Sequence, residues 1–272
     1  MNAGSQSLYY YLSNPLPVLS VKAPFASFGR PGMIYYAGTE MRNLFKERLI
    51  PYFARMNFDL NAAFSLSIAI GAVIALVRIR RIEDRYAPFL VLTWTGLLNE
   101  IASIVLVSRG YSNAATYNLY TLAESLLILW QFKRWGLFQR VPRFYTFLLL
   151  LLPLSWCCES IVYRTLFQFN SYFIIFYSFL IVMGAIYTLS EMLFYEGPAL
   201  WRQPPFLICM GFVIYFTYST LTEVFWVFGL AHSKTFRVRI YEVLAYINLL
   251  VNLIYATALL WMPTKLRSIP LS

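Results

Sequence analysis

Residues 97–130 read LLNEIASIVLVSRGYSNAATYNLYTLAESLLILW. Two apolar runs flank a short polar loop, and each run holds a single acidic residue, Glu100 in the first and Glu124 in the second. The first run extends back to residue 87 and the second forward to residue 135. Each is therefore near the ~20 residues that an α-helix needs to cross a bilayer. Lipid offers no partner to unpaired backbone N–H and C=O groups, so closely spaced runs of this length have to be helices.

Outward from this pair, further spans of similar length read at 59–79, 144–163, 170–195, 204–230 and 239–262. With 87–108 and 115–135 they predict an all-α, polytopic membrane protein, a bundle of seven transmembrane helices. The expected organisation is an N-terminal extracytoplasmic or interfacial segment (1–58), the seven-helix domain (59–263) and a short cytoplasmic tail (264–272). Composition agrees, with 60% hydrophobic and 12% charged residues. A soluble domain is nearer a quarter charged.

The formal net charge of +10 does not argue for nucleic acid, because the basic residues lie mostly in short loops. They serve orientation better. Arg78, Arg80, Arg81 and Arg85 follow the first span, Lys133, Arg134, Arg140 and Arg143 follow the third, Arg202 follows the fifth, and Lys265 and Arg267 lie in the tail. The alternate loops hold fewer. The N-terminus is thus expected outside and the C-terminus in the cytoplasm, with Trp135, Trp201 and Trp261 as anchors at the inner boundary. Residues 1–58 fit less well, since Lys22, Arg30, Arg42, Lys46, Arg48 and Arg55 would then sit outside. Three readings remain for them: a cap, an inverted topology, or a native start at Met56.

No cofactor or metal is expected. Cys157, Cys158 and Cys209 show no zinc or disulfide pattern, and His232 is the one histidine. No span has a central lysine for a Schiff base, and no H-E-x-x-H, G-x-S-x-G or Walker A motif occurs. No catalytic residue is assigned, and an enzyme is the less favoured reading. Pro153 is expected to kink the fourth span.

The spans after the first carry one glutamate each: Glu100, Glu124, Glu159, Glu191, Glu223 and Glu242. A charge at the bilayer centre costs at least ~2.5 kcal/mol, so such groups face the bundle interior or water. Counted at ~1.5 Å per residue, Glu100, Glu124 and Glu223 share one depth, roughly 10–12 Å below the outer surface. Helical spacing puts Thr93, Gly96, Glu100 and Ser103 on one face, Tyr117, Tyr120 and Glu124 on another, and Tyr241, Ala245, Asn248, Asn252 and Tyr255 on a third. Asn170, Tyr177, Gly184 and Glu191 recur every seven residues. The candidate pocket is Glu100, Glu124 and Glu223 with Asn99, Tyr117, Tyr120, Ser219 and Asn248; Glu191, Tyr246 and Asn252 are its outer candidates. Clustered carboxylates in a low dielectric favour holding protons or a cation. Glu159 and Glu242 read as boundary residues, the first snorkelling toward Arg164 or water and the second pairing with Arg239.

A faint repeat relates LLNEIASIVLV to TLTEVFWVFGL and YNLYTLAESLL to YEVLAYINLLV, a three-plus-one-plus-three plan. The 97–130 stretch, with FLICMGFVIYFTYSTLTEVFWVFGL and YEVLAYINLLVNLIYATALLW, resembles a loosely defined group of seven-helix inner-membrane proteins of Bacteroidota over residues 87–262. That resemblance implies topology and a multi-pass place in the bacterial inner membrane, and no activity. The favoured function is a transporter or heptahelical sensor with an outward-facing, carboxylate-lined pocket for a cation, a proton or a small amine-bearing ligand. The alternatives are a structural or assembly subunit of a membrane complex and a lipid-modifying enzyme. Expected partners are the bilayer and either other membrane proteins or a second copy, with no nucleic acid.

Overall fold

A computed structural model describes residues 64, 66–163, 168–195, 200–227 and 234–264. These residues form seven α-helices: α1 (Ile68–Arg78), α2 (Ala87–Ser108), α3 (Ala114–Trp135), α4 (Pro142–Cys157), α5 (Ser171–Tyr195), α6 (Pro204–Val227) and α7 (Lys234–Trp261). Short 3-10 turns at Asp84–Tyr86 and Leu200–Arg202 lead into α2 and α6, and a π-helical segment, Cys158–Tyr163, continues α4. The expectations for residues 1–58, a start at Met56, Arg164, His232 and the tail beyond Thr264 lie outside the described residues, as does the side chain of Tyr241.

Five segments are long and apolar enough to cross a membrane: Asp84–Ser108, Pro142–Ile161, Ser171–Phe194, Pro204–Phe225 and Glu242–Trp261. The described part of α1 is 11 residues long and falls short. α3 has the length, 22 residues, but not the apolarity. It differs from the other long helices because its polar residues face protein. Tyr117, Asn118, Tyr120, Thr121, Glu124, Ser125 and Gln131 are all buried. The other long helices turn apolar side chains such as Leu98, Leu150, Phe179, Leu221 and Leu250 outward, as lipid contact requires.

The helices follow one another round a ring. Each packs on the next in sequence, α7 returns to α1, and α3 also touches α5. Gln131, near the end of α3, accepts the Phe89 N–H at the start of α2 (2.9 Å) and donates to the Arg85 carbonyl (2.9 Å), so α2 and α3 are antiparallel. Both end in the same way. Gly110 and Gly136 take φ of +78° and +94°, and the next residues, Tyr111 and Leu137, donate back to Leu106 (2.9 Å) and Phe132 (3.1 Å). These are glycine-terminated Schellman caps. The ring closes where Arg78 reaches the open carbonyls of α7, donating to Leu259 (2.5 Å), Leu260 and Met262 (2.9 Å). A cation there also complements the negative end of the helix dipole.

An aromatic layer fills the centre. Phe89 of α2, Phe132 of α3, Phe212 of α6 and Tyr255 of α7 meet with ring centroids 5.3–6.5 Å apart, and Phe216 extends the layer to Tyr177 of α5 at 5.8 Å. Gly211 lets α6 approach this layer, since a Cβ there would stand 2.3 Å from the Tyr255 ring.

α3, α4 and α5 are tied by a polar knot. Asn118 donates to the Gln168 carbonyl (2.7 Å) and accepts the Asn170 N–H (3.1 Å), while the Trp156 indole donates to the Asn118 carbonyl (2.8 Å). Asn170 donates to Ser160 (2.5 Å). Glu159 is a correction to the sequence reading. It is buried rather than snorkelling, and its two oxygens accept the Tyr172 (3.2 Å) and Phe173 (2.5 Å) N–H groups. Those donors belong to the first turn of α5, which has no carbonyl of its own to bond them. The π winding after Pro153 is what brings both Glu159 and Ser160 inward.

Candidate functional site: an enclosed carboxylate cluster

The spacing of Tyr117, Tyr120 and Glu124 puts all three on one face of α3, and α2, α5, α6 and α7 bring side chains to meet that face. Glu124 is the best-held member. Tyr120 donates to its Oε1 and Tyr177 of α5 to its Oε2, both at 2.8 Å. One carboxylate thus joins two helices through two phenols. Gly96 keeps α2 close, since a Cβ at that position would lie 3.4 Å from the Tyr120 hydroxyl and 2.7 Å from Ile68.

Glu100 of α2 and Glu223 of α6 come to the same region. Tyr117 lies within electrostatic reach of Glu100, Glu124, Glu223 and Tyr215, so carboxylates from three helices act on one buried phenol. Their exposures are 2% for Glu100, 1% for Glu124 and 6% for Glu223. The described arrangement is therefore enclosed, where the sequence reading expects an opening to the outside. Among the described residues no three His, Cys, Asp or Glu side chains stand close enough together to ligate one metal ion.

Neutral polar groups complete the lining. Asn99 and Ser103 share the buried face of α2 with Glu100. Ser219 of α6 and Asn248 of α7 are buried. Both polar atoms of the Asn99 and Asn248 amides, and the hydroxyls of Ser103 and Tyr255, have no hydrogen-bond partner. Buried amides are rarely left so, because desolvating one without a partner costs about 1–3 kcal/mol. Replacing one by an apolar residue of the same branched shape removes that penalty. Asn248→Leu is accordingly expected to raise the apparent melting temperature in detergent by a few degrees. A drop instead would mean that the amide is satisfied in the folded protein.

The outer candidates fall elsewhere. Tyr246 is 60% exposed and meets the Phe64 ring at a tilt, centroids 5.3 Å apart, because it sits one residue off the Ala245–Asn248–Asn252 stripe and faces away from the interior. Asn252 is buried one turn beyond Asn248 and donates to Ser67 (2.8 Å), tying α7 to the segment before α1. Glu191 accepts from Tyr187 (2.9 Å) one turn away at an exposed position, apart from the cluster. Glu242 pairs with Arg239 at 3.4 Å, as its i,i+3 spacing suggests. Tyr177 is the member that the candidate set leaves out. Its place in the seven-residue recurrence from Asn170 to Glu191 is the signal that it faces inward.

The cluster offers carboxylates to a positively charged group, phenols that relay a proton, and amides that both donate and accept. Comparison with known proteins finds no family that the chain matches, no similar curated protein and no similar solved structure.

Proposed function

We propose that the chain is a seven-span protein of the bacterial inner membrane, a transporter or heptahelical sensor, whose interior cluster takes a proton or a small amine-bearing ligand. The observation that supports this is the burial of Glu100, Glu124 and Glu223 on three helices, all within electrostatic reach of Tyr117, with Glu124 held by two phenols. Three carboxylates on three helices are expensive to bury, and a structural bundle of this size holds together with none of them. An organic cation suits the site better than a bare metal ion, because the carboxylates stand too far apart to share a metal. The unpartnered amides of Asn99 and Asn248 supply further contacts for N–H and C=O groups of a ligand.

The enclosed arrangement is then one of two states. Access from the outside, the side on which the positive-inside bias puts the cluster, requires separation of α6 and α7 from α2 and α3. The pairing of α2 with α3 and of α6 with α7 fits the proposed three-plus-one-plus-three duplication, with one pair moving against the other. A lipid-modifying enzyme fits less well, since its carboxylates would line a cleft open to lipid.

Glu124→Gln tests the proposal. The amide keeps the shape and one acceptor, so the protein is expected to remain monodisperse in detergent. Stabilisation by a panel of small primary and quaternary amines, read as a rise in melting temperature, is expected to fall at least tenfold in apparent affinity. Proton uptake into proteoliposomes separates transport from sensing. Unchanged amine and proton responses in a less stable variant would reduce the cluster to a structural role.

A further inference from the structure

Apart from the carboxylate cluster, a cavity of about 380 Å³ lies between α3, α4 and α5. Its walls are aliphatic and aromatic, with Leu148 of α4, Met183 and Gly184 of α5 among them, and its inner end is Ser125 and Tyr177. Arg140, from the link between α3 and α4, is the one charged residue lining it. On α5 the lining runs from Tyr177 to Tyr187, ten residues or ~15 Å along the helix, which is half of the ~30 Å hydrocarbon core. The groove is thus about as deep as one leaflet.

Its mouth has the chemistry of a membrane interface. Lys133, Arg134, Arg140 and Arg143 are all exposed at this end of the bundle. Lys133 lies over the Tyr145 ring at 4.3 Å and Arg134 over the Trp130 ring at 5.7 Å. Stems along apolar surface with charged heads beside aromatic rings mark the headgroup level. Tyr187 on the facing wall turns its hydroxyl to Glu191 and leaves Arg140 as the cation at the rim.

We infer that this groove holds one acyl chain of an anionic phospholipid, with its phosphate at Arg140. Three features choose the occupant: walls without a polar side chain over most of their length, a depth equal to one leaflet, and a guanidinium placed where a lipid phosphate sits. The inner end adds a consequence. Tyr177 lines the groove with its ring and donates its hydroxyl to Glu124, so a seated chain bears on the residue that holds the carboxylate.

Full-length protein exchanged into mixed micelles of phosphatidylglycerol and phosphatidylcholine, and analysed by native mass spectrometry, tests this. Wild type is expected to retain one phosphatidylglycerol in preference to phosphatidylcholine. Arg140→Gln is expected to lower that preference about fivefold, the effect of one juxtamembrane cation on an anionic lipid. Met183→Trp, which fills the rim at a half-exposed position, is expected to lower retention of both lipids. Arg143→Gln, at a neighbouring cation outside the groove, is expected to change neither. Equal retention of the two lipids by wild type, an Arg140→Gln preference like that of wild type, an Arg143→Gln preference that falls as far as that of Arg140→Gln, or a protein chain co-purifying in the groove would each overturn the assignment. Arg140 is exposed, so its variant folds and the result stands even where Met183→Trp is poorly produced.

Discussion

Asn118→Leu is expected to lower the apparent melting temperature of the purified protein by about 10 °C. The leucine keeps the branched shape of asparagine, somewhat enlarged, and removes its side-chain bonds to the Gln168 carbonyl and the Asn170 N–H. Those partners stay in place at the entrance to α5. A buried backbone group left without a partner costs about 1–3 kcal/mol, so the pair amounts to roughly 2–4 kcal/mol. The comparison with Asn248→Leu makes the result decisive. The exchange is chemically the same on a buried asparagine in the same bundle, yet the expected sign is opposite. One amide is fully engaged and the other has no partner. Thermal scans of both variants in one detergent measure the difference, and equal shifts would remove the argument from hydrogen bonding.

Gly211→Leu is expected to have the larger structural effect and to abolish the monodisperse peak in size-exclusion chromatography. Even an alanine Cβ would stand 2.3 Å from the Tyr255 ring. That ring has nowhere to go, because Phe89 and Phe212 hold it at 5.3 and 5.9 Å. Overpacking of a dense interior typically costs about 1–3 kcal/mol, and a clash against a fixed ring lies at the upper end or beyond. Gly211→Ala with Tyr255→Leu should recover much of the loss that Gly211→Ala causes alone, since the two side chains are in direct contact. Additive effects in the double variant would show that the strain lies elsewhere.

The fold was legible where length and apolarity decide it. The predicted 87–108 coincides with α2, and 115–135 and 170–195 differ from α3 and α5 by a residue at one end. Where winding changes, the sequence reading went astray. Apolar periodicity shows the 144–163 run as one span, but not the switch to π winding at Cys158 that turns Glu159 inward to cap α5. Counting along the helices addresses only depth, whereas which side chains face one another depends on how the helices are rotated against each other, which counting does not contain. Tyr246 and Asn252 show two ways in which a candidate comes to lie apart from Glu124. One is a residue out of phase with its stripe, and the other is in phase but a turn too deep and bonded to Ser67.

α3 carries Glu124, Gln131, Asn118 and Tyr120 on a helix too polar to be recognised singly as a span. During synthesis such a segment has little affinity for lipid of its own. α2, made just before it and apolar enough to enter, offers what α3 lacks: the Phe89 N–H and Arg85 carbonyl for Gln131, across a loop of a few residues. α3 therefore has its nearest polar partners in α2, the helix that precedes it in the chain. Further partners come from later in the chain, Tyr177 of α5 to Glu124 and Asn170, just before α5, to Asn118. Glu124, held by one tyrosine of its own helix and one of α5, thus joins a segment made early to one made later, and the full set of its bonds exists only once α5 has been synthesised.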